Sequence, residues 1–174
     1  MNLYLDIETI PTQRVDIIDE MRVAKQEEFD AKVAAVKPPG NYKKQETIDA
    51  WWLNDAHVII QSLSAACAAE IDAAYRKTGL DGAYGEVIVI GVALDDGDPV
   101  TFSGPEVLML NKFNQYLDTI KNPNDTQTIG HNVVAFDLRF LVHRYMVNGV
   151  KPHKIIRIAY QVKPWDTDKV YDTM

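Results

Sequence analysis

The sequence is poor in cysteine and in long apolar runs. Cys67 is the single cysteine, which excludes an internal disulfide framework and a cysteine zinc site. No uncharged apolar run approaches the ~20 residues of a membrane span, so we expect no membrane partner. The first residues lack a basic segment and reach an acid at Asp6, unlike a signal peptide. These absences favour a cytoplasmic protein.

The sequence also lacks an excess of positive charge. Its 18 Lys and Arg residues against 25 Asp and Glu give a net charge of −7, whereas proteins that grip long duplexes non-specifically are usually basic. The segment 138–163 is an exception, with six Lys or Arg residues, two His and no acid. This segment either balances an acidic body or forms a local phosphate-facing patch, and charge alone favours the first interpretation.

The chain length of 174 residues predicts one domain spanning 1–174. Leu3 to Thr9 alternates apolar and polar residues, which predicts a strand with Leu3, Leu5 and Ile7 facing the core. Helical patterns interrupted by a Pro-Pro-Gly break predict a helical insertion over 13–84.

The second half alternates strand and helix signals. Apolar runs predict strands over 87–93, 99–102 and 126–129, and a further strand starting at Val170. Ser103 and Glu106 fit a capping box opening a helix that ends near residue 120, another helix runs from about 134 to 148, and a basic loop is expected after it. This order predicts an α/β fold with a central mixed β-sheet flanked by helices.

The strongest chemical pattern is Asp6-Ile7-Glu8 together with Asp137. Residues two apart on a strand face the same way, so Asp6 and Glu8 project together from the end of an apolar strand. Neighbouring carboxylates repel each other unless a cation lies between them. Asp137, early in a helix that follows a short strand, can supply a third carboxylate. Oxygen ligands of this kind indicate Mg²⁺ or Mn²⁺ rather than zinc.

Two motifs carry a resemblance to a known family. Leu5–Thr9 (LDIET) resembles the first motif of the DEDD, or DnaQ-like, 3′–5′ exonucleases, and 130–139 (GHNVVAFDLR) resembles the second. The chain is most similar to the predicted 3′–5′ exonucleases related to the proofreading domain of B-family DNA polymerases. Residues 37–43 (KPPGNYK), followed by Ile48 and Trp51, resemble the helical insertion of that group.

The resemblance implies an RNase H-like fold and two-metal hydrolysis of phosphodiester bonds at the 3′ ends of single-stranded DNA. Asp6 would bridge both ions, Mg²⁺ or Mn²⁺. Glu8 would bind the ion that activates water, and Asp137 would help hold the second. Replication or repair proteins are the implied protein partners.

Five further residues are candidates for contact with the substrate. By the resemblance, Asn132 corresponds to a polar residue near the substrate, and Thr9 and Ile10 to residues beside the terminal nucleotide. His131 is a candidate for a phosphate contact, and Arg139 for tracking a single strand.

One family motif is absent. The family has a third motif, Tyr-x-x-x-Asp or His-x-x-x-x-Asp, which supplies a fourth carboxylate, and no Tyr or His in this sequence has an Asp at that spacing. The chain therefore resembles the N-terminal two-thirds of the family's domain, with the C-terminal part of the fold missing. A truncated chain, a helix supplied by a partner or a degenerate relative would each explain this, and truncation is the favoured explanation. Two alternatives to a DNA exonuclease stay open: a 3′–5′ exoribonuclease, and a catalytically silent nucleic-acid-binding or scaffold domain.

Overall fold

The computed structural model describes residues 1–163 and 166–174, which fold into two compact units. The first unit comprises Met1–Gln13 and Lys77–Met174, and the second comprises Arg14–Arg76. The strands are β1 (Asn2–Ile10), β2 (Glu86–Leu94), β3 (Val100–Ser103), β4 (Gln127–Gly130) and β5 (Val170–Asp172). The α-helices are α1 (Val15–Ala34), α2 (Gln45–Trp51), α3 (His57–Thr78), α4 (Glu106–Leu117), α5 (Asp137–Val147) and α6 (Lys154–Gln161).

The strands form one mixed sheet in the order β3-β2-β1-β4-β5. The β1–β2 and β2–β3 pairs are antiparallel, whereas β1–β4 and β4–β5 are parallel. Each parallel pair is joined by a long connection, because strands that run the same way cannot be linked by a tight turn. The predicted α/β architecture with a mixed sheet flanked by helices is thereby confirmed.

One face of this sheet carries the hydrophobic core. Leu3, Leu5 and Ile7 of β1 are buried, whereas the alternate residues Tyr4 and Asp6 are exposed. The core includes apolar residues from α4, α5 and α6 as well as from the strands. The period of two that predicted β1 from the sequence therefore also predicted which side chains of that strand lie inside.

Helix α6 corrects the prediction of a basic loop after α5. Its Ile155, Ile156 and Ala159 are buried in the core, although Lys154 and Arg157 lie beside them in the sequence. The backbone N–H of Ile155 donates to Nδ1 of His153, which provides the N-terminal cap. Helical propensity in this segment is ordinary, so burial of the apolar face is what stabilises it.

The predicted capping box at the start of α4 is also wrong. Pro105 holds the N-cap position without a side-chain cap, and Glu106 instead forms an ion pair with Arg144 of α5, with Oε2 at 2.6 Å from Nη2. Glu106 also accepts hydrogen bonds from Asn148 Nδ2 and from the backbone N–H of Val87. These contacts join α4, α5 and β2.

The second unit is helical and contains α1, α2, a π-helical turn over Trp52–Ala56 and most of α3. Helix α1 has no buried residue, and its Lys25 and Lys32 pair with Glu70 of α3. The unit lies within the segment 13–84 that the sequence predicts as a helical insertion. No helix among the described residues is long and apolar enough to cross a membrane.

Candidate functional site

The candidate site begins with two exposed carboxylates on β1. Asp6 and Glu8 lie on the open face of the sheet, on the same side as each other. Gly91 of β2 is the residue opposite Asp6, so the position directly across from this carboxylate has no side chain. The β1–β2 register shifts between Glu8 and Thr9, and such bulges are frequent next to active sites because they redirect side chains.

Asp137, at the start of α5, reaches the same strand from its other edge. Parallel pairing between β1 and β4 covers only Asn2 to Tyr4 of β1, which leaves the later N–H groups on that edge without a strand partner. The backbone N–H of Ile7 donates to Oδ1 of Asp137 at 3.0 Å. A carboxylate 130 residues away in the sequence thus contacts the residue between Asp6 and Glu8.

The loop that carries Asp137 is tightly constrained. Gly130 lies where a Cβ atom would come within 2.7 Å of the Leu5 carbonyl oxygen, so no larger residue fits without a shift. Asn132 adopts a φ of +56°, in the left-handed region that non-glycine residues rarely occupy. Its carbonyl accepts from the N–H of Phe136, which continues the chain into α5. Asparagine is one of the residues that enter this region most readily, so the conformation fits a tight turn between β4 and α5.

The Asp137 carboxyl lies in an unusual electrostatic environment. It is 3% exposed, and burial raises its pKa from 3.8 to about 6. The Ile7 N–H favours the charged form, whereas the negative charges of Asp6 and Asp172 raise the pKa further. A cation near these acids would reverse the effect, because it favours the ionised carboxylate.

The acids of this site do not form a preassembled metal cage. Within residues 1–163 and 166–174, no group of three or more His, Cys, Asp or Glu side chains is arranged to hold a metal ion. The donor chemistry nevertheless fits a hard divalent cation, since Asp6, Glu8 and Asp137 offer only carboxylate oxygens. Asp6 and Glu8 are exposed and can change rotamer, whereas Asp137 is fixed by its hydrogen bond.

The structure gives the five predicted substrate contacts different surroundings. Thr9 donates its hydroxyl to the carbonyl of Gly79 at 2.7 Å, so this side chain is already engaged. Ile10 and Asn132 are half-buried, and His131 is exposed with Nδ1 3.3 Å from the Thr173 hydroxyl.

Arg139 lines a cavity of about 280 Å³ between α5 and the turn at 80–82. Its guanidinium is exposed and forms no ion pair or hydrogen bond within the part of the chain that the structure describes. Phe136 and His143 also line the cavity, and Nδ1 of His143 lies 4.0 Å from Oδ1 of Asp81. Arg144, from the same basic segment, is buried against Glu106 and is unavailable to a ligand.

Asp172 is the residue that sequence reasoning missed. Its Oδ2 accepts the backbone N–H of Val134 at 3.0 Å, within the loop that leads to Asp137. The signal was present, since Asp172 comes two residues after Val170, where the sequence predicts a short strand to start, and so lies at the strand end. In parallel strands these ends meet at one edge of the sheet, as β4 and β5 do here.

Comparisons of the chain with protein-family models, with curated proteins and with solved structures gave no match. The site must therefore be interpreted from its own geometry and chemistry.

Proposed function

We propose that this chain is a metal-dependent 3′–5′ exonuclease domain with an RNase H-like fold, acting on the 3′ ends of single-stranded DNA. The observation that carries the proposal is the hydrogen bond from the Ile7 N–H to Asp137. Without that contact, Asp6 and Glu8 would be two acids at a strand end, which is a common surface pattern. The contact supports a shared site, because it brings Asp137, 130 residues away in the sequence, to the backbone between Asp6 and Glu8.

The three carboxylates would hold Mg²⁺ or Mn²⁺, two ions in the proposed mechanism. Asp137 supplies a fixed, largely buried oxygen, and Asp6 and Glu8 supply exposed ones on the adjacent face. When bound, the ions would supply a water of lowered pKa and would offset charge on the oxygens of the scissile phosphate. The raised pKa of Asp137 supports this role, since strongly perturbed acids cluster at functional sites.

The surroundings of the acids favour a strand end over a long duplex. The net charge of −7 opposes extended phosphate contacts, so affinity must come from the metal and from a few local cations. Arg139 is exposed and lines the cavity that is also lined by Ala135 and Phe136, the two residues before Asp137. This arginine can contact one phosphate of a strand whose end lies at the acids.

A nuclease assay tests the proposal. A 5′-labelled single-stranded DNA is incubated with the protein and Mg²⁺ or Mn²⁺, and the products are separated on a gel. We expect products shortened stepwise from the 3′ end, with a rate at least about 100-fold lower for Asp6→Asn and Asp137→Asn. Asp96→Asn, an exposed acid in the β2–β3 turn, is the matched control and is expected to keep wild-type activity.

Two results contradict the proposal. One is the absence of any metal-dependent shortening of DNA by the wild-type chain. The other is activity that survives Asp6→Asn, which indicates a contaminant or a different site. An RNA of the same sequence, assayed in parallel, tests the alternative of a 3′–5′ exoribonuclease.

A catalytically silent nucleic-acid-binding or scaffold domain is the second candidate. It is favoured by the absence of a preassembled metal group among the described residues. Fluorescence anisotropy with labelled DNA separates the candidates, since this alternative predicts binding without cleavage and little effect of EDTA. The exonuclease predicts binding that weakens when the divalent ion is removed.

A further inference from the structure

We propose that Asp172 is a positioning residue of this site, which holds the loop 130–136 so that Asp137 meets β1. The expected effect of Asp172 on metal binding rests on the proposed function. The positioning of Asp137 by Asp172 rests on hydrogen bonds in the structure. Neither the sequence motifs nor the proposed ligand set includes Asp172.

Both oxygens of Asp172 are engaged by backbone amides. Oδ2 accepts from the N–H of Val134 at 3.0 Å, and Oδ1 accepts from the N–H of Met174 at 3.1 Å. Burial opposes ionisation of this carboxyl, but the amides of Val134, Met174 and Asn132 prevail and lower its pKa. Asp172 is therefore ionised near neutral pH and holds these amides with charge-assisted hydrogen bonds.

Thr173 holds the other end of the same loop. Its backbone N–H donates to the carbonyl of Gly130 at 3.0 Å, and its hydroxyl lies 3.3 Å from Nδ1 of His131. Asp172, the last residue of β5, and Thr173 directly after it thus contact the loop at Gly130, His131 and Val134.

The conformation held by these contacts leads directly into α5. Asn132 has a positive φ. This conformation costs free energy and persists only when contacts from the surrounding structure hold it in place. The N–H groups of Phe136 and Leu138 donate to the carbonyls of Asn132 and Val133, both at 2.9 Å. Movement of Val134 would disturb these two hydrogen bonds and with them the start of α5, where Asp137 accepts from Ile7.

Asp172 acts on Asp137 through the loop and is not itself proposed as a ligand. Groups that orient metal ligands typically change metal affinity by 10–100-fold when they are removed. We therefore expect Asp172→Ala to weaken Mn²⁺ binding about tenfold or more, although Asp6, Glu8 and Asp137 are unchanged.

Amide hydrogen exchange of the Ile7 N–H, followed by NMR on the full chain without metal, tests the positioning step. Asp172→Ala is expected to lower the protection of this amide at least about tenfold, while the central amides of β2 keep theirs. A merely structural role would lower the protection of β1 and β2 together. Asp172→Asn keeps one acceptor oxygen and is expected to lie between wild type and Asp172→Ala. Asp96→Ala is the matched control with no expected change.

Mn²⁺ affinity, measured from the EPR signal of free Mn²⁺, tests the consequence. If wild type binds no Mn²⁺, the proposed function fails, whereas the Ile7 exchange result still decides whether Asp172 positions Asp137. Unchanged Ile7 protection in Asp172→Ala overturns the inference, whatever the metal result. If Asp172→Ala loses amide protection throughout the sheet, the protection of Ile7 is compared with that of the central β2 amides in Asp172→Asn instead. Unchanged Ile7 protection in Asp172→Asn, or an equal loss in β1 and β2, overturns the inference.

Discussion

Replacing Asp137 with asparagine is expected to stabilise the folded chain at pH 8 while it removes the proposed activity. The wild-type carboxyl is buried beside the negative charges of Asp6 and Asp172, and folding raises its pKa from 3.8 to about 6. Asparagine carries no charge and keeps an oxygen that can accept from the Ile7 N–H. The substitution therefore removes an electrostatic penalty and retains the main contact.

The sign and size of this effect follow from proton linkage. Between pH 3.8 and about 6 the folded state binds more protons at Asp137 than the unfolded state, so the wild-type stability falls as pH rises through this window. The penalty is absent below pH 3.8, is complete above about pH 6 and amounts to about 3 kcal/mol. Asp137→Asn is expected to be more stable than wild type by up to this amount at pH 8, and by little near pH 4.

Urea denaturation followed by circular dichroism measures the difference at pH 4, 6 and 8, with EDTA present. Asp96→Asn is the control, and its stability relative to wild type is expected to show no such rise across this range. Saturating Mn²⁺ at pH 8 is expected to stabilise wild type by about 2.7 kcal/mol at 100 times its Kd, and Asp137→Asn by much less. A stability difference between Asp137→Asn and wild type that is the same at every pH would refute the reasoning.

Three further predictions concern the fold and the substrate. Arg144→Ala leaves Glu106 buried without its cation and is expected to lower the free energy of unfolding by about 3–5 kcal/mol, measured by urea denaturation. Gly130→Ala is expected to cost about 1–3 kcal/mol, because its Cβ would meet backbone at 2.7 Å, whereas Gly40→Ala, in open space, is the neutral control. Arg139→Gln is expected to weaken the binding of single-stranded DNA, measured by anisotropy titrations at several salt concentrations. The slope of log binding constant against log salt concentration is expected to decrease in magnitude by about one.

Much of the fold could be predicted from local patterns. The alternation in β1 predicted which side chains are buried and that Asp6 and Glu8 share a face, because a strand has a period of two. The turn and helix-stop signals predicted the other strands and most helices. Helix α6 was missed because its three buried residues are stabilised by the core and not by local propensity. Glu106 was misassigned because its partner, Arg144, is distant in the sequence.

The candidate site divides in the same way. The carboxylates Asp6, Glu8 and Asp137 were predicted from residue type and motif, without knowledge of the contact between Asp137 and β1. The contact between Asp137 and Ile7, and the hydrogen bonds of Asp172 to the loop before α5, depend on where β1, β4 and β5 lie in the sheet.

The sequence by itself determined the α/β class and the exposed acids of β1, because these follow from short-range periodicity. Binding of a hard divalent cation by these acids stays a prediction from side-chain chemistry. Only the tertiary structure decided that the pairing of β1 with β4 ends at Tyr4, so that Asp137 of α5 accepts the hydrogen bond from the Ile7 N–H. Only the tertiary structure also raised the pKa of Asp137, since burial and nearby charges depend on residues that are far apart in the chain.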